Sequence, residues 1–132
     1  VKKYSNKYLI IRLPYVIGPN LKRNPFYDLL YKKRSYLTLN SKINCIHTDS
    51  IAKNCMKLIN RGINETFNMG SKNTMKVSEI LHLLKLKKVQ LNNNKQVRDI
   101  NNINLKKIKK QIQLPDIFKE VEKYFDEEIN KL

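Results

Sequence analysis

His47 and Asp49 are the chain's closest pairing of an imidazole with a carboxylate. Such a pair can hold or move a proton, or give two ligands to a metal ion, but a protein metal centre needs three or four. Cys45 and Cys55 flank it. A zinc site on Cys45, His47 and Cys55 would still want a fourth ligand, and the sequence supplies no convincing one. The cysteines lack C-x-x-C spacing and are too few for a disulfide framework. Cys45 falls in a strand-like run and Cys55 on an apolar helical stripe, so both read as small core residues. Asp49 reads as a helix cap, its carboxylate accepting backbone N–H groups. No catalytic residue and no metal site is assigned.

The elements that would carry these residues alternate between strand and helix. Val1 to Lys7 reads as the end of a helix. Tyr8 to Leu13 is a nearly continuous apolar run, the pattern of a strand buried on both faces of a parallel sheet, and it should end near Pro14, which cannot donate to a ladder. A turn follows at Gly18-Pro19-Asn20. Asn24-Pro25 opens a helix reaching about Arg34, with Phe26, Leu29 and Leu30 on one face. Tyr36–Leu39 and Ile43–Ile46 are strand candidates around a polar turn at 40–42. Thr48 or Asp49 caps a helix to about Ile59 whose stripe is Ile51, Cys55 and Ile59, with Ala52 and Met56 beside it; Gly62 stops it. Glu65–Met69 is a strand ended by Gly70, and Val77–Leu84 a helix whose first turn Glu79 stabilises. Lys87–Leu91 reads as a strand and 92–94 as a loop. Ile103–Ile112 is weakly helical, and Pro115 opens a last helix with Ile117, Phe118, Val121, Tyr124, Phe125 and Ile129 at helical spacing. The class is α/β, with too few strands for a complete doubly wound sheet.

Composition bounds the function. The chain of 132 residues is 41% hydrophobic and 29% charged, enough for one modest core. No run approaches the apolar length of a membrane span and no signal peptide opens the sequence, so a cytoplasmic protein without a membrane partner is expected. The net charge of +16 suggests nucleic acid, but only five of the 27 basic residues are Arg. Compositional drift toward Lys explains that better than phosphate recognition, and no nucleic-acid-binding motif is visible. The charge is also uneven, since residues 116–132 hold six acids and three lysines.

Four segments, in order, carry a resemblance. Ile11-Arg-Leu-Pro-Tyr-Val-Ile-Gly-Pro19 resembles an "R-x-x-N-x-x-G-P" strand and turn. Ile46-His-Thr-Asp-Ser-Ile-Ala52 is similar to an "h-V-x-D-[VL]-A" strand-to-helix junction, Thr66-Phe-Asn-Met-Gly70 to "[YF]-N-[IVL]-G", and Met75-Lys-Val-Ser-Glu-Ile80 to "V-S-x-x-E-[LI]". Together, from Val1 to about Leu84, they resemble the extended short-chain dehydrogenases, the NAD(P)-dependent sugar-nucleotide epimerases, dehydratases and reductases. The resemblance implies a Rossmann-like C-terminal portion with an incomplete sheet: a late strand and turn over 1–20, a substrate lobe with returning strands over 21–91, and a polar loop with C-terminal helices over 92–132. It also implies that Pro14 lies against the nicotinamide and that Tyr15, where the family often has Asn, contacts substrate. Lys42 falls where many members carry an Arg that meets the substrate phosphates, though a lysine gives charge without the bidentate fork. Asn24 matches a substrate-contacting region, with helix capping as the rival reading. Lys76 replaces a usual capping Ser.

The family's chemistry needs a Gly-rich turn for the pyrophosphate and a Tyr-x-x-x-Lys pair for proton transfer. Only Gly18, Gly62 and Gly70 are present, unclustered, and Tyr4-Ser-Asn-Lys7 has the wrong spacing. The resemblance places the missing pair just upstream of Val1. The expectation is therefore a substrate-binding portion inactive alone, whose NAD or NADP is held by an N-terminal Rossmann half, in the same chain or a separate subunit. A truncated frame, a split subunit and a remnant are all compatible, and so is a homo-oligomer. The alternative is a small basic module binding RNA, an acidic polymer or a partner subunit.

Overall fold

The computed structural model describes residues 6–31, 37–85 and 103–131. In chain order the elements are β1 (Leu9–Arg12), β2 (Tyr15–Ile17), α1 (Pro25–Leu30), β3 (Lys42–Ile43), β4 (Cys45–His47), α2 (Thr48–Asn60), β5 (Glu65–Asn68), β6 (Met75–Lys76), α3 (Val77–Leu83), α4 (Lys106–Lys109) and α5 (Ile117–Ile129). Strand β1 pairs in parallel with β5, Leu9 opposite Glu65 and Arg12 opposite Asn68. Strand β2 pairs in parallel with β4, Tyr15 opposite Cys45, and β3 pairs antiparallel with β6. The result is a mixed α/β fold with small, incomplete parallel sheets.

Alternation along β4 explains why there are two cores. Successive strand side chains point to opposite faces. Cys45 enters a cluster with Ile17, Phe26, Ile43, Met75 and, from α5, Val121 and Tyr124. Ile46, one residue on, enters a second cluster with Leu58, Phe67, Met69, Ile108 and Leu114. Both residues are fully buried, so this strand is covered on both sides. Burying such a side chain contributes roughly 1.5–3 kcal/mol.

Several sequence expectations are corrected here. Pro14 ends β1 as expected, but the chain re-enters extended structure at once as β2 and finds a new partner, β4. Strand β1 is only half-buried. Residues 37–39 are not a strand; Thr38 and Ser41 instead bond to each other across a turn, while Lys42 leaves that turn to begin β3. The buried face of α2 carries Asn54 and Leu58, leaving Met56 and Ile59 each 55% exposed. In α5 the inward set includes Glu120 and Glu128 and leaves Phe118 and Ile129 outside. Asn6 and Lys7 form a bend. The expected strand over 87–91, the loop over 92–94, Tyr36, the helix end at Arg34 and residues 1–5 lie outside the described residues.

The capping expectations fare better. Asn24 caps α1, with Pro25 in its first turn; Pro115, expected to open α5, instead lies just outside it, and Asp116 is the cap, accepting from Phe118 N at 3.0 Å. Lys76 has no acceptor to offer α3, but Glu79 reaches back to the Lys76 N–H at 2.7 Å and holds that end. Among the described residues no helix is long and apolar enough to cross a membrane.

Candidate functional site

Parallel strands deliver their carboxyl ends to one edge, the edge where open α/β folds place ligands. Here that edge is the meeting of β1, β2 and β5. Met69 N donates to Arg12 O at 2.9 Å, continuing the β1–β5 pairing past both strands. Pro14 and Tyr15 follow directly. Pro14 is half-buried and lies over Gly70, where an added Cβ would stand 3.2 Å from Pro14 Cγ and 2.6 Å from Asn44 Oδ1. A glycine is therefore required at 70 by close approach. Tyr15 packs partly buried against the first core.

Asn44 holds this edge together, and the sequence reading did not single it out. It is 3% exposed. Its Nδ2 donates to Ser71 O and Asn73 O, both at 2.9 Å, and its Oδ1 accepts from Ser71 N at 3.0 Å. An Asn splitting two apolar strand residues, Ile43 and Cys45, was the available signal, since a polar residue there needs partners.

Asn24 and Lys42 stand apart from that edge. Both polar ends of the Asn24 side chain serve the backbone: Oδ1 accepts from Tyr27 N at 2.8 Å and Nδ2 donates to Leu21 O at 2.7 Å. Lys42 is exposed, in register with Lys76 of β6. Directly opposed residues of an antiparallel pair share one face, so two ammonium groups are presented side by side. Neither has an ion-pair partner among the described residues.

His47, not Thr48 or Asp49, caps α2. Its Nδ1 accepts from Asp49 N at 3.2 Å. That bond fixes the neutral tautomer: Nε2 carries the hydrogen and donates to Glu127 Oε2 at 2.9 Å. His47, Asp49 and Glu127 offer ligand atoms within 4.8 Å of one another. However, both imidazole nitrogens are already engaged, and Lys123 Nζ sits on the Asp49 carboxylate. The cluster already holds its cation, and it latches α5 to α2. Lys123 holds the Asp49 carboxyl below its ordinary 3.8, and Asp49 in turn raises Lys123.

Cys45 is fully buried, and burial, helped by the charge of Glu120, pushes its thiol well up. We expect Cys45 to resist a thiol reagent at neutral pH in the native chain and to react on unfolding. Mass spectrometry of alkylated peptides with and without urea checks this; modification of native Cys45 at the rate of a free thiol would contradict it. Cys55 is only partly covered.

No protein-family model matches the sequence, and no curated protein is similar to it. Solved structures are. Over 98% of its length the chain superposes on 46% of dTDP-glucose 4,6-dehydratase from Bacillus anthracis, with TM-score 0.73 and 16% identity. Over 96% it superposes on 46% of ADP-L-glycero-D-manno-heptose-6-epimerase from Helicobacter pylori, with TM-score 0.72 and 14% identity. UDP-galactose 4-epimerase gives TM-score 0.69 and 14% identity, over 96% of this chain and 47% of that one. The fold is that of the extended short-chain dehydrogenases. The chain corresponds to their C-terminal portion and spans about half the length of the structures it matches.

Some structures sharing this extended short-chain dehydrogenase fold contain NAD, the dehydratase among them. The residues present here do not fit a dinucleotide site of their own. Among the described residues β4 runs straight into α2 through His47, and β6 into α3 through Lys76, with no glycine-rich turn at either junction. Gly18, at φ +156°, is committed elsewhere: an added Cβ would meet Thr48 Oγ1 at 2.5 Å. Among the described residues there is no glycine-rich cradle for a pyrophosphate.

Proposed function

We propose that this chain is the substrate-side portion of an NAD(P)-dependent nucleotide-sugar epimerase, dehydratase or reductase. A separate Rossmann half, in the same polypeptide or another subunit, holds the dinucleotide and the proton-transferring groups. The chain alone is not catalytic. The observation that carries the reading is the superposition of 94–99% of the chain on sugar-nucleotide enzymes, supported by the four ordered motifs. In this reading Pro14 borders the nicotinamide, Tyr15 contacts the sugar, Asn24 shapes the lobe as a buried cap, and Lys42 meets the substrate phosphates. The register of Lys42 with Lys76 supports the last assignment, because an anion between them would relieve their mutual repulsion.

The test is titration of the chain with UDP, uridine and NADH by calorimetry. UDP should bind and uridine should not. Lys42→Ala and Lys76→Ala should each weaken UDP about tenfold, the worth of one charge-assisted contact. UDP affinity unchanged in the double variant would sink the phosphate assignment. Micromolar NADH affinity for the chain alone would sink the division of labour.

A further inference from the structure

A second cleft, of about 320 Å³, lies between α2 and the segment that leads into α5. It is separate from the β1–β5 edge and from the Lys42–Lys76 pair. Its floor is Asn54, which faces inward from α2 at 4% exposure. An amide that deeply placed has two donors and an acceptor to satisfy. Asn54 has no side-chain hydrogen-bond partner among the described residues, and its amide is not sealed from solvent, so it opens to the cleft.

The walls are cationic. Lys53 and Lys57 stand four residues apart on the same face of α2, a spacing at which like charges repel. Lys119, from the first turn of α5, faces them. All three are exposed and without an ion-pair partner among the described residues. The acids nearby are spoken for. Asp116 caps α5 and lies 3.6 Å from Lys72, and Glu120 accepts from His47 N and Ser50 Oγ. Three ammonium groups without an ion-pair partner thus stand around an amide that has no protein partner and opens to the cleft.

We infer that this cleft binds a small organic phosphate, with the phosphoryl group among Lys53, Lys57 and Lys119 and a neighbouring hydroxyl on Asn54. The Asn54 carbonyl accepts from the hydroxyl while its amide donates to a phosphoryl oxygen. The volume suits a sugar phosphate and is at the small end of ligand sites. A bare phosphate would leave the Asn54 acceptor unused, so the site should prefer an ester.

Ribose 5-phosphate, inorganic phosphate and ribose are the probes, titrated into the full chain at constant ionic strength, with amide NMR to place the site. Ribose 5-phosphate should bind at least about tenfold tighter than inorganic phosphate and should shift the Asn54 side-chain amide. Asn54→Ala should reduce its affinity to that of inorganic phosphate. Lys53→Glu with Lys119→Glu, both at exposed positions, should abolish binding with the thermal midpoint unchanged. Equal affinity for ester and inorganic phosphate overturns the inference, as does binding that survives the double charge reversal. Shifts confined to Lys42 and Lys76 overturn it too, while leaving the nucleotide-sugar reading intact.

Discussion

Asn44→Asp should be the most damaging single-atom change in the chain. The substitution keeps size and shape but turns the donating Nδ2 into an oxygen, facing Ser71 O and Asn73 O, each 2.9 Å from it. The buried Ser71 carbonyl and the part-buried Asn73 carbonyl lose their donor, and a carboxylate is aimed at both. At about 1–3 kcal/mol for each unsatisfied group, the loss is about 2–6 kcal/mol before any charge is counted. A domain of this size is held by roughly 5–15 kcal/mol, so a large share of that margin would go. Asn44→Ala avoids the repulsion but also leaves the buried Ser71 N–H without its acceptor, so it should cost a similar amount. Urea unfolding followed by circular dichroism measures both. A loss under about 1 kcal/mol for the Asp variant would mean that water replaces the bridge, and the close packing of Gly70 against Asn44 and Pro14 would need another support.

Glu120→Leu is the second large effect. Glu120 is 6% exposed on the inward face of α5, and its two oxygens are divided between His47 N at 2.7 Å and Ser50 Oγ at 2.8 Å. Removing them strands a buried N–H at the entry to α2. Hydrogen bonds to a charged group are worth about 1.5–3 kcal/mol each, and the leucine recovers part of that through apolar burial, so a net loss of about 2–4 kcal/mol is expected. Glu120→Gln retains one accepting oxygen and should lose about half as much. Glu122→Ala, on the exposed side of the same helix, should stay within about 0.5 kcal/mol of the parent. If Glu120→Leu and Glu122→Ala proved equal, α5 would be held by its apolar side alone.

These residues show where the sequence was readable. Local rules carried far: Asn24-Pro25 announced a capped helix, Gly70 a strand end, and Glu79 the first turn of α3. All of these depend on neighbours within one turn. The four ordered motifs carried the fold, although none of them is strong singly. What failed depends on partners distant in sequence. His47 becomes the cap of α2 because Glu127 of α5 takes its other nitrogen, and nothing near position 47 says so. Strand β2 exists because β4 lies beside it, despite Pro14 immediately before. The face of α2 was read only in part: Ile51 and Cys55 pack against the second core, but Met56 and Ile59 are apolar and exposed, while Asn54 is polar and buried. A polar residue at inward spacing, between Ile51 and Leu58, was the sign that could have marked the second cleft.

The parallel pairings also govern how the chain must fold. Leu9 meets Glu65 and Tyr15 meets Cys45, so each pair closes a long loop before any ladder bond rewards it. The local elements, α2 and α5, can form first but are marginal alone at 13 residues each. The arrival of β4 between them is expected to limit the rate, since among the described residues it is the element that gives side chains to both cores. Non-local pairings of this kind should make folding slower than that of a helical bundle of the same length.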